Sequence, residues 1–220
     1  MPCNQSALTA RVPHLKTAER HLAAGWIRLA CAMSAAIWLG ACGSPPLTQT
    51  RYDLGTPPAM PAQPRSNADA AVIVPDVTAS EDLDTDHIRF RFAYLNDQQT
   101  GGYATSRWTM TPAQMLTQQL RAKLASTGPV LANPGTYAAP TLRVELTRFE
   151  QVFTQPAQGQ GVVNLRATLT RDGQLIGQRD FYATAPAPTP DAAGGVQALS
   201  RASDAALDAL IVWYETEPRQ

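Results

Sequence analysis

Apolar residues recur along the chain with two different periods. From residue 87 to 95 every second position is apolar, with Ile88, Phe90, Phe92 and Tyr94 on one face and Arg89 and Arg91 on the other. This is the pattern of a half-buried strand. The same alternation runs through Leu142, Val144 and Leu146 within residues 141–149. Residues 162–170 and 174–184 flank Asp172-Gly173, a pair suited to a two-residue turn with φ > 0 at both positions. These three runs are therefore expected as antiparallel neighbours. Residues 71–77 (AVIVPDV) are rich in β-branched side chains, and Pro75 limits that run to an edge or a bulge.

A second period marks two helices. Thr111-Pro112-Ala113-Gln114 combines an N-cap threonine, a proline at the first helical position and a glutamine that completes a capping box. Leu116, Leu120 and Leu124 then form an apolar stripe, and Gly128-Pro129 stops the helix. Asp191 is placed to cap the second helix, along which Val196, Leu199, Ser203, Ala206, Leu207, Leu210, Ile211 and Tyr214 keep helical spacing. The order β-β-α-β-β-β-α predicts an α+β fold, with an antiparallel or mixed sheet of about five strands and two helices packed on one face. A single domain over residues 71–217 would hold it. Gly101-Gly102 and Gly194-Gly195 lack the spacing of a phosphate-binding loop and read as turns.

The first 70 residues follow neither period. Residues 29–40 (LACAMSAAIWLG) are apolar and follow Lys16, Arg20 and Arg28, the order of a secretory signal. The run is too short for a membrane-spanning helix, which needs about 20 apolar residues. It ends in Leu39-Gly40-Ala41-Cys42, similar to a bacterial lipobox, so residues 1–41 are expected to be cleaved and Cys42 to carry the lipid. Several acyl chains on one residue satisfy the need for more than one hydrophobic signal in stable anchoring. Gly43, rather than an aspartate, follows the cysteine, and by resemblance to the enterobacterial sorting rule this favours the outer membrane. Residues 42–70 contain six prolines and read as an extended tether, in which Tyr52-Asp53-Leu54 is apolar enough to dock as a short edge strand.

Charge and composition narrow the function. The whole chain carries 18 basic and 18 acidic residues. Four of those bases and one of those acids precede Cys42, leaving fourteen against seventeen in the mature chain. No basic run remains to neutralise phosphates, so nucleic acid is not an expected partner. The cysteines are Cys3, Cys31 and Cys42, so the mature domain has neither a disulfide nor a catalytic thiol downstream of its anchor. His87 is the only histidine after Cys42, and no serine stands in a nucleophile-elbow pattern. The acidic run Glu81-Asp82-Leu83-Asp84-Thr85-Asp86 lacks the glycine and terminal glutamate of a calcium loop. No metal, no cofactor and no enzymatic activity are expected. Trp108, three residues before the Thr111 cap, is read as packing at the helix start or as an interface anchor, and Trp213 and Tyr214 as core.

Several features together resemble the ABC-type transport auxiliary lipoprotein component family, of the PqiC (YmbA) type. They are the lipobox cysteine, Tyr52 and Leu54, the proline-rich spacer, the strands at 72–77 and 88–94, Trp108 ahead of a helix, the strand at Leu142 to Leu146, and the closing Ala/Leu helix. The resemblance implies a periplasm-facing, outer-membrane lipoprotein that acts as an adaptor. Its implied partner is an MCE-domain protein of an ABC system that moves lipid between the membranes. It also implies a homo-oligomer without an active site. The alternative from another class is an outer-membrane assembly lipoprotein, a chaperone or plug of the LPS-assembly kind.

Overall fold

The computed structural model describes residues 48–56, 71–133, 135 and 139–217. The signal segment, Cys42 and most of the proline-rich stretch lie outside the described residues. From Thr48 onward the chain forms one compact unit.

The sheet is built around β7 (Thr141–Gln155), whose alternating residues Leu142, Val144, Leu146 and Phe149 are buried. On one side β7 pairs antiparallel with β8 (Gln158–Arg171), which pairs antiparallel with β9 (Gln174–Pro186). The turn between β8 and β9 is Asp172-Gly173, with φ of 49° and 79°, the doubly positive geometry expected of it. On its other side β7 is lined in turn by three parallel segments, β2 (Val72–Ile73), β3 (Thr78–Ala79) and β4 (His87–Phe92). Beyond β4 lie β5 (Thr100–Trp108), antiparallel, and then β1 (Thr50–Tyr52), parallel to β5. Strand β6 (Val130–Leu131) extends β2.

The α+β architecture and mixed sheet are as expected, but the sheet has nine strands rather than about five. The additional ones are those with no alternation to read. Strands of two or three residues are too short to show a period, and β5 opens on the glycine pair that reads as a turn. Gly101 is instead a strand residue lying against the Phe90 ring, where an added Cβ would come within 2.5 Å of Cζ. A side chain at that position would displace the ring, so the residue that hides the strand also permits its packing.

Two helices cover one face. Helix α1 (Pro112–Leu124) starts with the expected capping box, Gln114 N–H donating to Thr111 Oγ1 and Thr111 N–H to Gln114 Oε1. Leu116, Leu120 and Leu124 are fully buried in the core. Helix α2 (Ala192–Thr216) is capped by Asp191, whose Oδ1 accepts from Gly194 N–H at 2.8 Å. Backbone and Thr189 hydrogen bonds hold the Asp191 carboxyl below the usual carboxylate range. Gly194 and Gly195 are therefore in the first turn of a helix rather than in a loop. A side chain on Gly195 would collide with Gln151 Oε1, so the helix start needs a bare backbone to seat on β7. The two helices are joined by Lys123, 8% exposed, whose Nζ lies 2.8 Å from Asp208 and 3.3 Å from Asp204. The opposite face of the sheet is polar, with pairs such as Arg166–Asp180 and Asn164–Thr147.

Candidate docking surface

The segment that joins the N-terminal part of the chain to the domain is fastened in three places. Thr109 N–H donates to the Tyr52 carbonyl at 2.8 Å, and Arg51 Nη1 donates to the Trp108 carbonyl at 3.2 Å. Leu54 is 5% exposed, and its carbonyl accepts from Ser200 Oγ on α2 at 2.7 Å and from Gln119 Nε2 on α1 at 3.5 Å. Asp53 Oδ1 accepts from Gly55 N–H, closing the turn that follows. The expected docking of this stretch as an edge strand is therefore seen one step earlier, at Thr50–Tyr52, with Leu54 acting as a plug into the core.

One end of the sheet is left open by the helices. Here β4 and β7 run side by side toward their C-terminal ends, Phe92 opposite Phe153. Phe90, Phe92, Phe153, Tyr94 and Tyr103 form a connected aromatic cluster, with centroid separations of 4.9 Å for Phe90–Phe92 and Phe90–Tyr103, 5.1 Å for Phe92–Phe153 and 5.9 Å for Phe92–Tyr94. The cluster is graded in exposure. Ile88 is fully buried, but Phe92 and Tyr94 are each 39% exposed and Leu95 is 72% exposed. The apolar face of residues 88–94, expected as the buried side of a half-buried strand, thus runs from the core out into solvent.

Tyr103 ties this cluster to the fold. Its hydroxyl donates at 2.8 Å to Oε1 of the fully buried Gln151, beside the start of α2. Burial, and then the nearby Asp191 carboxylate, push the Tyr103 hydroxyl up to about 12. The phenol is thus a neutral hydrogen-bond donor, and the aromatic rings are held on a fixed support.

The residues singled out from the sequence fall in different places. Cys42 lies outside the described residues. Tyr52 is half-buried in β1 and packs against the core. Trp108 is fully buried, edge-on to Phe149 at 5.7 Å, so it packs the core and is not an accessible anchor. His87 stands exposed at the head of β4, with Gly102 across from its ring. In the acidic run, Asp82 is paired with Arg89, and Ser80 and Arg89 hold its carboxyl low. Among the described residues, no three His, Cys, Asp or Glu side chains gather as a metal cluster, and no helix is long and apolar enough to cross a membrane. Clefts of about 300 Å³ flank α1, one lined by Asp53, Leu54, Met115 and Gln119. Tyr94 and Leu95 form the exposed tip of the aromatic cluster. The alternation of residues 87–95 was the available signal, since the apolar face continues past the point where helices cover it.

A mixed sheet backed by two helices and entered through an N-terminal strap defines a small α+β domain. The chain belongs to the ABC-type transport auxiliary lipoprotein component family, whose family model matches residues 52–210. Two solved structures share the fold. One, from Xanthomonas campestris and of the DUF330 family, is 17% identical with a TM-score of 0.57, covering 77% of this chain and 87% of its own. The other, an uncharacterised protein, is 19% identical with a TM-score of 0.58, covering 76% of this chain and 98% of its own. A hypothetical protein from Chlamydia trachomatis is more distant, at 8% identity and a TM-score of 0.48. No protein of curated function matches the chain.

Proposed function

We propose that the mature protein is acylated on Cys42, resides on the periplasmic face of the outer membrane, and acts as an adaptor for an ABC transport system that moves lipid between membranes. Its partner in this reading is an MCE-domain protein of that system, and it works as a homo-oligomer without catalysing a reaction itself. The family match across the whole folded domain is the observation that carries the reading. The lipobox supplies the anchor, and the strap at Arg51, Tyr52 and Leu54 supplies a firm joint between anchor and domain.

The test has two parts. Cys42→Ala should remove the acyl mass from the mature N-terminus and release the protein from the membrane fraction, or leave it as an unprocessed precursor. Crosslinking the acylated protein in cells, followed by mass spectrometry, should recover an MCE-domain protein. Recovery of outer-membrane assembly factors in its place would overturn the transport reading and favour the assembly-lipoprotein alternative.

A further inference from the structure

We infer that the open aromatic end of the sheet, centred on Phe92, Tyr94 and Leu95, rests in the interfacial layer of the bilayer that holds the lipid. The inference depends on the anchor at Cys42 proposed above.

Chain direction is the first observation. Strand β1 is parallel to β5, with Thr50 level with Ser106, so the chain enters β1 from the side on which β5 begins. That is the aromatic side, because Thr100 pairs with Arg91 and Gly101 with Phe90. From the level of Ser106 to that of Thr100 is six residues of strand, about 20 Å, and the tip at Tyr94 and Leu95 lies several ångströms farther. Thr50 lies eight residue steps after Cys42, a span of at most about 26–29 Å when fully extended. The leash is therefore about as long as the distance from β1 to the aromatic tip. An acyl group inserted in a membrane keeps this end of the domain within reach of the headgroups.

The second observation is the chemistry of that end. Three stretches of strand end and connecting turn meet there, residues 93–99, 154–160 and 184–190, since Phe92 pairs with Phe153 and Gln160 with Pro186. Asp97 is the only charged residue within these three stretches, and Asp191, the exposed N-cap of α2, directly follows the last of them; the other side chains are those of Ala, Pro, Thr, Gln, Asn, Tyr and Leu, with one Gly. Charged groups are costly to bring into a bilayer interface, whereas aromatic rings with a polar tip favour it. The opposite end, around the β8–β9 turn, carries Arg171, Asp172, Glu215 and Glu217. Of the two ends of the sheet, the one from which the chain enters β1 is the one chemically suited to a lipid surface.

Because no cysteine follows Cys42, single labelling sites can be introduced cleanly. The acylated mature protein would be reconstituted into phosphatidylethanolamine–phosphatidylglycerol vesicles with Leu95→Cys or, as the distal control, Leu175→Cys. Each site would carry a polarity-sensitive fluorophore. Leu175 is 66% exposed beside the β8–β9 turn, so both labels sit on solvent-facing positions and leave the core intact. The label at 95 should shift to shorter wavelength on reconstitution and be quenched by bromolipids, while the label at 175 should do neither. A label at 95 as water-like and unquenched as that at 175 would overturn the inference. So would a blue shift at 95 without bromolipid quenching, which signifies cover by protein such as a second copy. Vesicle flotation of the same samples separates the two levels of the argument. Protein that fails to float refutes the anchor and the inference together, whereas protein that floats with a water-like label at 95 refutes only the membrane contact.

Discussion

Truncating Leu54 tests whether the strap is a joint with its own stability or a part of the cooperative core. The side chain is 5% exposed within the main core cluster, and its carbonyl is held by Ser200 at 2.7 Å. A buried Leu→Ala change costs about 2–5 kcal/mol through lost transfer energy and a residual cavity. Strand β1 has only three residues, at the edge of the sheet, and pairs only with β5. The strap should therefore open locally before the domain unfolds. In Leu54→Ala the cost falls on that local opening, so amide exchange at Thr109, which donates to Tyr52, should accelerate by about thirtyfold to a few thousandfold, 1.4 kcal/mol being a factor of ten. Hydrogen-exchange mass spectrometry on peptides covering residues 48–56 and 100–110 reads this directly. Leu54 is exposed in the unfolded chain as it is in the opened strap, so the global stability read in urea should fall by the same amount, about 2–5 kcal/mol, with an unchanged m-value. Exchange at Thr109 with the same opening free energy as the amides of β7 and β8, before and after the substitution, would refute the idea of a separate joint. Opening also has a mechanical consequence. Once Thr50–Tyr52 and Leu54 are freed, the next strand among the described residues is β2 at Val72, thirty residues after Cys42, a contour of roughly 100 Å against about 27 Å to Thr50.

Other substitutions probe the support beneath the surface. Gly161→Ala should destabilise the domain by about 1–3 kcal/mol in urea denaturation, since its Cβ would come within 2.5 Å of the Ala198 and Leu199 backbone of α2 and overpacking outweighs the gain from removing a strand glycine; a stabilised variant would show that the helix shifts freely. Lys123→Met removes the cation between Asp204 and Asp208 while keeping the aliphatic stem, and should cost about 1–2 kcal/mol. Desolvation lowers the Lys123 pKa, but the two aspartates more than offset it and leave it raised. The wild-type advantage over the Met variant should therefore be complete below pH 10 and fade as pH rises through the raised value, and an advantage that persists above that value would contradict the pairing. Tyr103→Phe leaves Gln151 Oε1 without its 2.8 Å donor and should cost about 1–3 kcal/mol; in the wild type, ultraviolet titration should show one tyrosine ionising near pH 12. Because the unfolded phenol ionises near 10, that contribution is present below pH 10 and lost between 10 and 12.

What could be read from the sequence depended on whether a residue's role was local. Thr111 and Gln114 cap α1 through groups three residues apart, and Asp172-Gly173 makes a turn by its own backbone preferences, so both were legible. The strand β5 was hidden because Gly101 is chosen by a residue on another strand, Phe90. Gly194 and Gly195 were misread for the same reason, since what requires them is Thr189 and Gln151 and not a turn. The antiparallel pairing of β7 with β8 is as expected, but its turn at Pro156-Ala157 carries no sequence signal, because Ala157 adopts φ of 63° without being glycine or asparagine. The surface was legible only in part. The period of residues 87–95 identifies which face is apolar, but not where the helices stop covering it.

The geometry of the strap also explains how so short a strand can hold an anchored domain. With the proposed lipid at Cys42 pulling from the side on which parallel β5 begins, the load on Thr50 would run along the axis of β1. A load in that direction shears the ladder, so its hydrogen bonds must fail together; a load across the strand would peel them one at a time. Behind the ladder, Leu54 must leave the core and its carbonyl must give up Ser200 before the strand can slide. Arg51 adds a bond to the Trp108 carbonyl, and Trp108 is itself immobilised in the core against Phe149. Three residues of sheet thus suffice because they are loaded in shear, with the plug at Leu54 placed downstream of the pull. An equally short strand attached antiparallel at this edge would receive the same tension from its opposite end, which would draw the aromatic tip away from the anchor.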